Sequence, residues 1–157
     1  MTRPKIYIET TIVGYLTAMS SRDLVTAALQ QVTRDWWASR GAFDLFISQL
    51  VIDEASAGDP AAAARRLEVL REVSVLETTE DAVMLAKALL SGGAIPSTAA
   101  ADAFHIGVAA AHGLDYLLTW NCTHIANATL RGRIEAVCRA SGFEPPIICT
   151  PVELAEE

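Results

Sequence analysis

Short apolar runs alternate with longer segments of helical period along most of the chain. KIYIE, rich in β-branched and aromatic residues, predicts a strand that ends at Glu9. In SSRDLVTAALQQVTRDWWASRG the apolar positions recur at helical spacing, so a helix is expected with Ser20 or Ser21 as its cap and Gly41 as its stop. FDLFIS predicts a second strand, running straight into a short helix in QLVIDEASAGDP that breaks at Gly58-Asp59-Pro60. AAAARRLEVLREV is a strong helix former, VSVLE a short strand, and TEDAVMLAKALLSGG a helix closed by glycine. Beyond Ile95-Pro96, STAAADAFHIGVAAAHG predicts a helix, DYLLTW a strand and NCTHIANATLRGRIEAVCRASG a mostly helical stretch. PPIICTPVEL closes with a strand and a helical turn begun near Pro151.

Strands that alternate with helices in this way predict an α/β fold, with a parallel sheet covered on both faces. The length of 157 residues fits one domain, expected over residues 1–157. No repeat, linker or low-complexity stretch interrupts it. No segment is long and apolar enough to span a bilayer. The apolar run near the N-terminus is broken by Glu9 and lacks a small-residue cleavage site, so a secretory signal is not expected there and the reading is a soluble, cytoplasmic protein.

Charge narrows the chemistry. The formal net charge is −7, and the 12 Lys and Arg residues are scattered with no basic run. A protein that holds nucleic acid by charge alone is basic. Any nucleic-acid contact here must therefore be local, with divalent cations offsetting acidic groups. The three cysteines, Cys122, Cys138 and Cys149, include no C-x-x-C pair, which argues against a disulfide framework or a zinc ribbon and for buried free thiols. Neither G-x-G-x-x-G nor G-x-x-x-x-G-K-[ST] occurs, so the loops that cradle nucleotide phosphates are absent.

Ligands of open parallel sheets collect beyond the carboxyl ends of the strands. Glu9 ends the first strand, Glu54 lies in the helix after the second, and Asn121 follows the DYLLT strand. Asp102 lies in an alanine-rich helix whose first half is expected at the same edge. Each has a purely structural reading when taken alone. Glu9 could cap a helix, Asp53 is as eligible an acid as Glu54, and Asp102 could bond a neighbouring strand. Their shared position is what points to a site, because buried carboxylates are normally paired or ligate a metal. Oxygen ligands from separate elements suit Mg²⁺ or Mn²⁺.

At these residues the chain resembles a PIN domain, the fold of the VapC-type toxin ribonucleases of bacterial toxin–antitoxin pairs. The resemblance spans essentially the whole chain, through IYIETTIVGYL, ISQLVIDEAS, DAFHIGVAAAHGLDYLLTWN and the ICTPVEL tail. It implies a Rossmann-like parallel sheet, an acidic pocket for Mg²⁺ or Mn²⁺, RNA as substrate, a homodimer, and a cognate antitoxin as partner. Carried over by position, the family's acids fall on Glu9, Glu54 and Asp102 as catalytic and metal-holding residues. The hydroxyl after the first acid falls on Thr10 or Thr11, and the variable fourth position on Asn121, directly or through a water. Two positions depart from the family pattern: Glu9 is one methylene longer than the usual Asp, and Asn121 is neutral. Fewer carboxylates imply weaker metal binding, so the alternative to a ribonuclease is a PIN-like RNA- or protein-binding module with little catalysis.

Other polar residues carry weaker signals. His105 shares a helix face with Asp102 and either supports an acidic ligand or packs in the core. His124 could orient a phosphate or a water, although a surface or capping role is the simpler reading. His112 suits the C-terminal end of its helix. Trp36 and Trp37 read as core or surface anchors, and Arg22 is the best candidate for a phosphate contact.

Overall fold

The computed structural model describes residues 2–154; residue 1 and residues 155–157 of the expected domain lie outside the described residues. The first strand, β1 (Lys5–Ile8), is the middle of the sheet. Its Ile6, Tyr7 and Ile8 are all fully buried, as a parallel strand covered on both faces requires. β2 (Asp44–Ser48) and β4 (Tyr116–Leu118) flank it, and β3 (Ser74–Leu76) and β5 (Ile147–Cys149) are the outer strands. All pairings are parallel, in the order β3-β2-β1-β4-β5, with Tyr7 opposite Phe46 on one side and Leu117 on the other. The chain thus steps outward from β1 to β3, then crosses back to β4. That reversal makes the carboxyl ends of β1 and β4 the switch point of the sheet, where ligands of such folds bind.

Helices fill both faces. β1 stops at Ile8, one residue earlier than expected, because Glu9 caps a helix that the hydrophobic pattern does not announce, α1 (Thr10–Thr17). The next helix, α2 (Leu24–Ala38), is capped by Asp23 and not by Ser20 or Ser21. The Asp23 carboxylate accepts from both the backbone and the hydroxyl of Thr26. It ends before Gly41, which falls in a 3-10 turn over Arg40–Ala42. α3 (Gln49–Ala55) follows β2 directly, and α4 (Pro60–Leu70) begins with Asp59 as cap and proline in its first turn. α5 (Glu80–Ser91), capped by Thr79, packs along α6 (Ala100–Ala111). A Cβ on Gly107 would meet the Ala82 carbonyl oxygen at 2.6 Å, so glycine there lets the two backbones touch.

The stretch after β4 is less helical than its sequence pattern predicts. Asn127 caps α7 (Ala128–Ala140), and the residues before it form turns. Asn121 builds the first of them: its Oδ1 accepts the His124 backbone N–H, and its carbonyl accepts from Ile125 and Ala126. Trp120 pins this loop to α2 by donating its indole N–H to the Thr33 hydroxyl. One continuous core, from Ile6 and Ile8 to Leu85, Leu89, Ile106 and Ile134, lies under these elements.

Candidate active site

Glu9 sits at the switch point where β1 and β4 end, and its backbone N–H is bonded to the Leu118 carbonyl. It is 3 % exposed. The Thr11 and Thr119 hydroxyls both donate to Glu9 Oε1, and the Thr11 backbone N–H reaches Oε2. A carboxylate oxygen only accepts, and each hydroxyl has a lone pair left for a backbone N–H. Thr11 Oγ1 takes the Trp120 N–H at 2.8 Å, and Thr119 Oγ1 takes the Asn121 N–H at 2.9 Å. Each hydroxyl therefore turns its hydrogen to the carboxylate. A buried carboxylate needs such partners.

Glu54 approaches from α3. Its Oε1 accepts from the Thr10 hydroxyl and lies against His105 Nε2, both at 2.7 Å. Partial burial pushes its carboxyl upward, but the His105 and Thr10 donors outweigh that and hold it below the ordinary carboxylate range. The other ring nitrogen of His105 meets the Tyr7 hydroxyl at 2.6 Å, and Tyr7 meets Ser48 at 2.7 Å. Burial drives the Tyr7 phenol far above its ordinary range, helped by the Glu9 and Glu54 charges and only partly countered by Ser48. Tyr7 therefore remains a neutral phenol. Among the described residues, Glu9, Glu54 and His105 form a group whose ligand atoms all lie within 4.8 Å of one another.

Asp102 stands outside that group. It occupies the first turn of α6, where its Oδ2 is 3.0 Å from His124 Nδ1. Both side chains are partly exposed, at 18 % and 31 %. The Asn121 side-chain oxygen is used by the turn that presents His124. Of the two threonines after Glu9, Thr10 serves Glu54 and Thr11 serves Glu9. Arg22 is exposed in the segment before α2. His112 caps α6 and bonds the Glu77 carbonyl at 2.6 Å, away from the acids.

Sequence reasoning did not find Thr119, Tyr7 or Ser48. The signal for Thr119 was its place at the end of an apolar strand, two residues before Asn121. Tyr7 and Ser48 each put one polar atom among the buried residues of a strand.

The donor set suits a hard divalent cation. Glu54 Oε2 and Asp102 Oδ1 have no hydrogen-bond partner among the described residues, while the sister oxygen of each is fixed by a histidine. Carboxylate oxygens held this way match Mg²⁺ or Mn²⁺ better than a softer metal. His105 has both ring nitrogens engaged by protein partners, which favours its orienting Glu54 over binding an ion itself.

The family profile that matches the chain is that of the PIN domain, over residues 6–121. That span runs from the first strand through Glu9, Glu54 and Asp102 to Asn121. None of the curated proteins matches the chain.

Proposed function

The chain belongs to the PIN domain family, whose members are generally nucleases, and on that premise we propose that it is an endoribonuclease dependent on Mg²⁺ or Mn²⁺. The observation that carries this reading is the meeting of Glu9 and Glu54 at the reversal point of the sheet, contributed by elements far apart in sequence. Glu9, Glu54 and Asp102 would hold the metal. A cation bound there supplies Lewis acidity at a phosphoryl oxygen and offsets the negative charge of the acids around it.

The chain's own groups do the positioning. Thr11 and Thr119 keep the Glu9 carboxylate in one orientation, so its charge meets the substrate at a fixed point. Thr10 and His105 hold one oxygen of Glu54, and His124 holds one oxygen of Asp102. Pre-set carboxylates need no reorganisation when a phosphodiester arrives, which is where such sites gain rate. The net charge of −7 supports a cation-mediated hold on RNA, with Arg22 proposed as a local phosphate contact.

The resemblance to toxin ribonucleases extends the proposal. In that reading the chain is the toxin of a toxin–antitoxin pair, works as a homodimer, and is silenced by a cognate antitoxin protein. Purified protein should cleave RNA with Mg²⁺ or Mn²⁺, and Asp102→Asn should abolish the cleavage while the protein stays folded. Undiminished cleavage in EDTA, or by that variant, would overturn the proposal.

A further inference from the structure

Ser48, Tyr7 and His105 place a line of polar side chains inside an apolar core; they are 0 %, 0 % and 1 % exposed. The line runs from the last residue of β2, through β1, to α6, and ends on Glu54 of α3. Its hydrogens can be followed. Glu54 Oε1 is a carboxylate oxygen that also takes the Thr10 hydroxyl, so it accepts, and His105 Nε2 carries the hydrogen between them. With the Nε2–H tautomer, Nδ1 accepts the single hydrogen of the Tyr7 phenol, which leaves Tyr7 to accept from the Ser48 hydroxyl. Every member donates toward Glu54, and no polar atom of the line lacks a partner.

Core stability does not demand this arrangement. Replacing both partners of a buried hydrogen bond by apolar groups of similar shape is nearly neutral, and the neighbours are apolar residues such as Ile6, Ile8 and Ile47. What the line does hold is Glu54. That residue belongs to a seven-residue helix and its side chain is 36 % exposed, so a glutamate there would otherwise sample several rotamers. Thr10 and His105 grip the same oxygen, and the Tyr7 bond sets which way the imidazole faces.

We propose that Tyr7 and Ser48 are positioning residues that act through His105, fixing its Nε2–H on Glu54 Oε1 so that Glu54 Oε2 is kept for a divalent cation. The proposal rests on the reading of the acidic cluster as a metal site. The partners of metal-ligating groups commonly change affinity by about 10- to 100-fold when removed, and Tyr7 and Ser48 are here one and two bonds further out.

The test is Mn²⁺ titration calorimetry on the full chain, alongside nitrogen-15 NMR of the His105 ring in metal-free protein. Tyr7→Phe should weaken Mn²⁺ binding about tenfold, and the Tyr7→Phe/Ser48→Ala double variant should fall to the same level, because both act through one histidine. In metal-free protein the native ring should show a bare Nδ1 and a protonated Nε2, a pattern that Tyr7→Phe blurs. His105→Gln keeps a donor for Glu54 but has nothing for Tyr7 to orient, so adding Tyr7→Phe to it should change affinity less than twofold. Should Tyr7→Phe not fold, Ser48→Ala carries the test, with a loss of about threefold expected and Ser48→Thr restoring it. Native binding with unchanged affinity in the folded Tyr7 or Ser48 variants overturns the relay alone. No Mn²⁺ binding by the native chain overturns the metal reading and the relay with it.

Discussion

His124 Nδ1 lies 3.0 Å from Asp102 Oδ2, a contact made between a loop after β4 and the first turn of α6. It gives Asp102 an orienting partner on an element the carboxylate does not share. The loop side of the contact is itself fixed, since Asn121 accepts the His124 backbone N–H. His124→Ala should therefore lower Mn²⁺ affinity and RNA cleavage about tenfold. His124→Asn, whose amide can place a donor near the Nδ1 position, should recover most of that loss. Calorimetry and a cleavage assay on the two variants check it.

Thr119 joins β4 to the site by donating to a carboxylate that is almost wholly buried. Thr119→Val removes one of Glu9's donors and also strands the Asn121 N–H that the hydroxyl accepts. We expect a loss of about 1–3 kcal/mol in urea unfolding, together with a larger drop in cleavage than Thr119→Ser produces.

The lowered Glu54 pKa has a consequence for stability against pH. The unfolded chain binds a proton at Glu54 near its ordinary value of 4.5, whereas the folded chain does so only at lower pH. Between those values the unfolded state holds more protons, so stability rises with pH there. The contribution is complete above pH 4.5 and is lost as pH falls through the folded-state value. Urea melts of the native protein and of Glu54→Gln should differ above that pH and converge in acid.

The cysteines should separate by reactivity. Cys122 is exposed, while Cys138 and Cys149 are buried and free. Burial pushes their thiols up to about 11 and about 12, respectively, which suppresses the reactive thiolate. A chromogenic disulfide at mild alkaline pH should label a single thiol quickly in native protein and all three in denaturant.

Gly107 meets the Ala82 carbonyl too closely to admit a side chain. Gly107→Ala should cost about 1–3 kcal/mol of stability through overpacking, and it should reduce cleavage as well, because α6 carries both Asp102 and His105. Thermal unfolding and the cleavage assay read the two effects.

The strands and most helices were legible because apolar runs and helical spacing survive in a chain whose sheet is buried on both faces. α1 was hidden: its cap is a glutamate, outside the usual capping residues, and its eight residues are too few to show a helical period beside the apolar run of β1. The turns over residues 121–127 were also missed: the helical pattern of α7 was extended back over weak helix formers, where the Asn121 side chain instead bonds the His124 backbone and closes a turn. At the site, the sequence pattern pointed to acids at one sheet edge. It could not say that Asp102 turns to His124, or that His105 turns to Glu54 and not to its near neighbour on the helix. Those choices depend on which loop and which strand face α6, a matter of tertiary packing. Tyr7 and Ser48 escaped notice because a buried hydroxyl in an apolar strand has no periodicity of its own.

The bond from Thr119 to Glu9 spans 110 positions of the chain. During synthesis the first acid of the cluster emerges early, with only its neighbour Thr11 to hold it, and waits for the fourth strand to bring Thr119. Until that strand docks beside β1, no fragment of the polypeptide contains an assembled site. The order of the elements along the chain therefore ties assembly of the acidic cluster to docking of a strand that emerges late in synthesis.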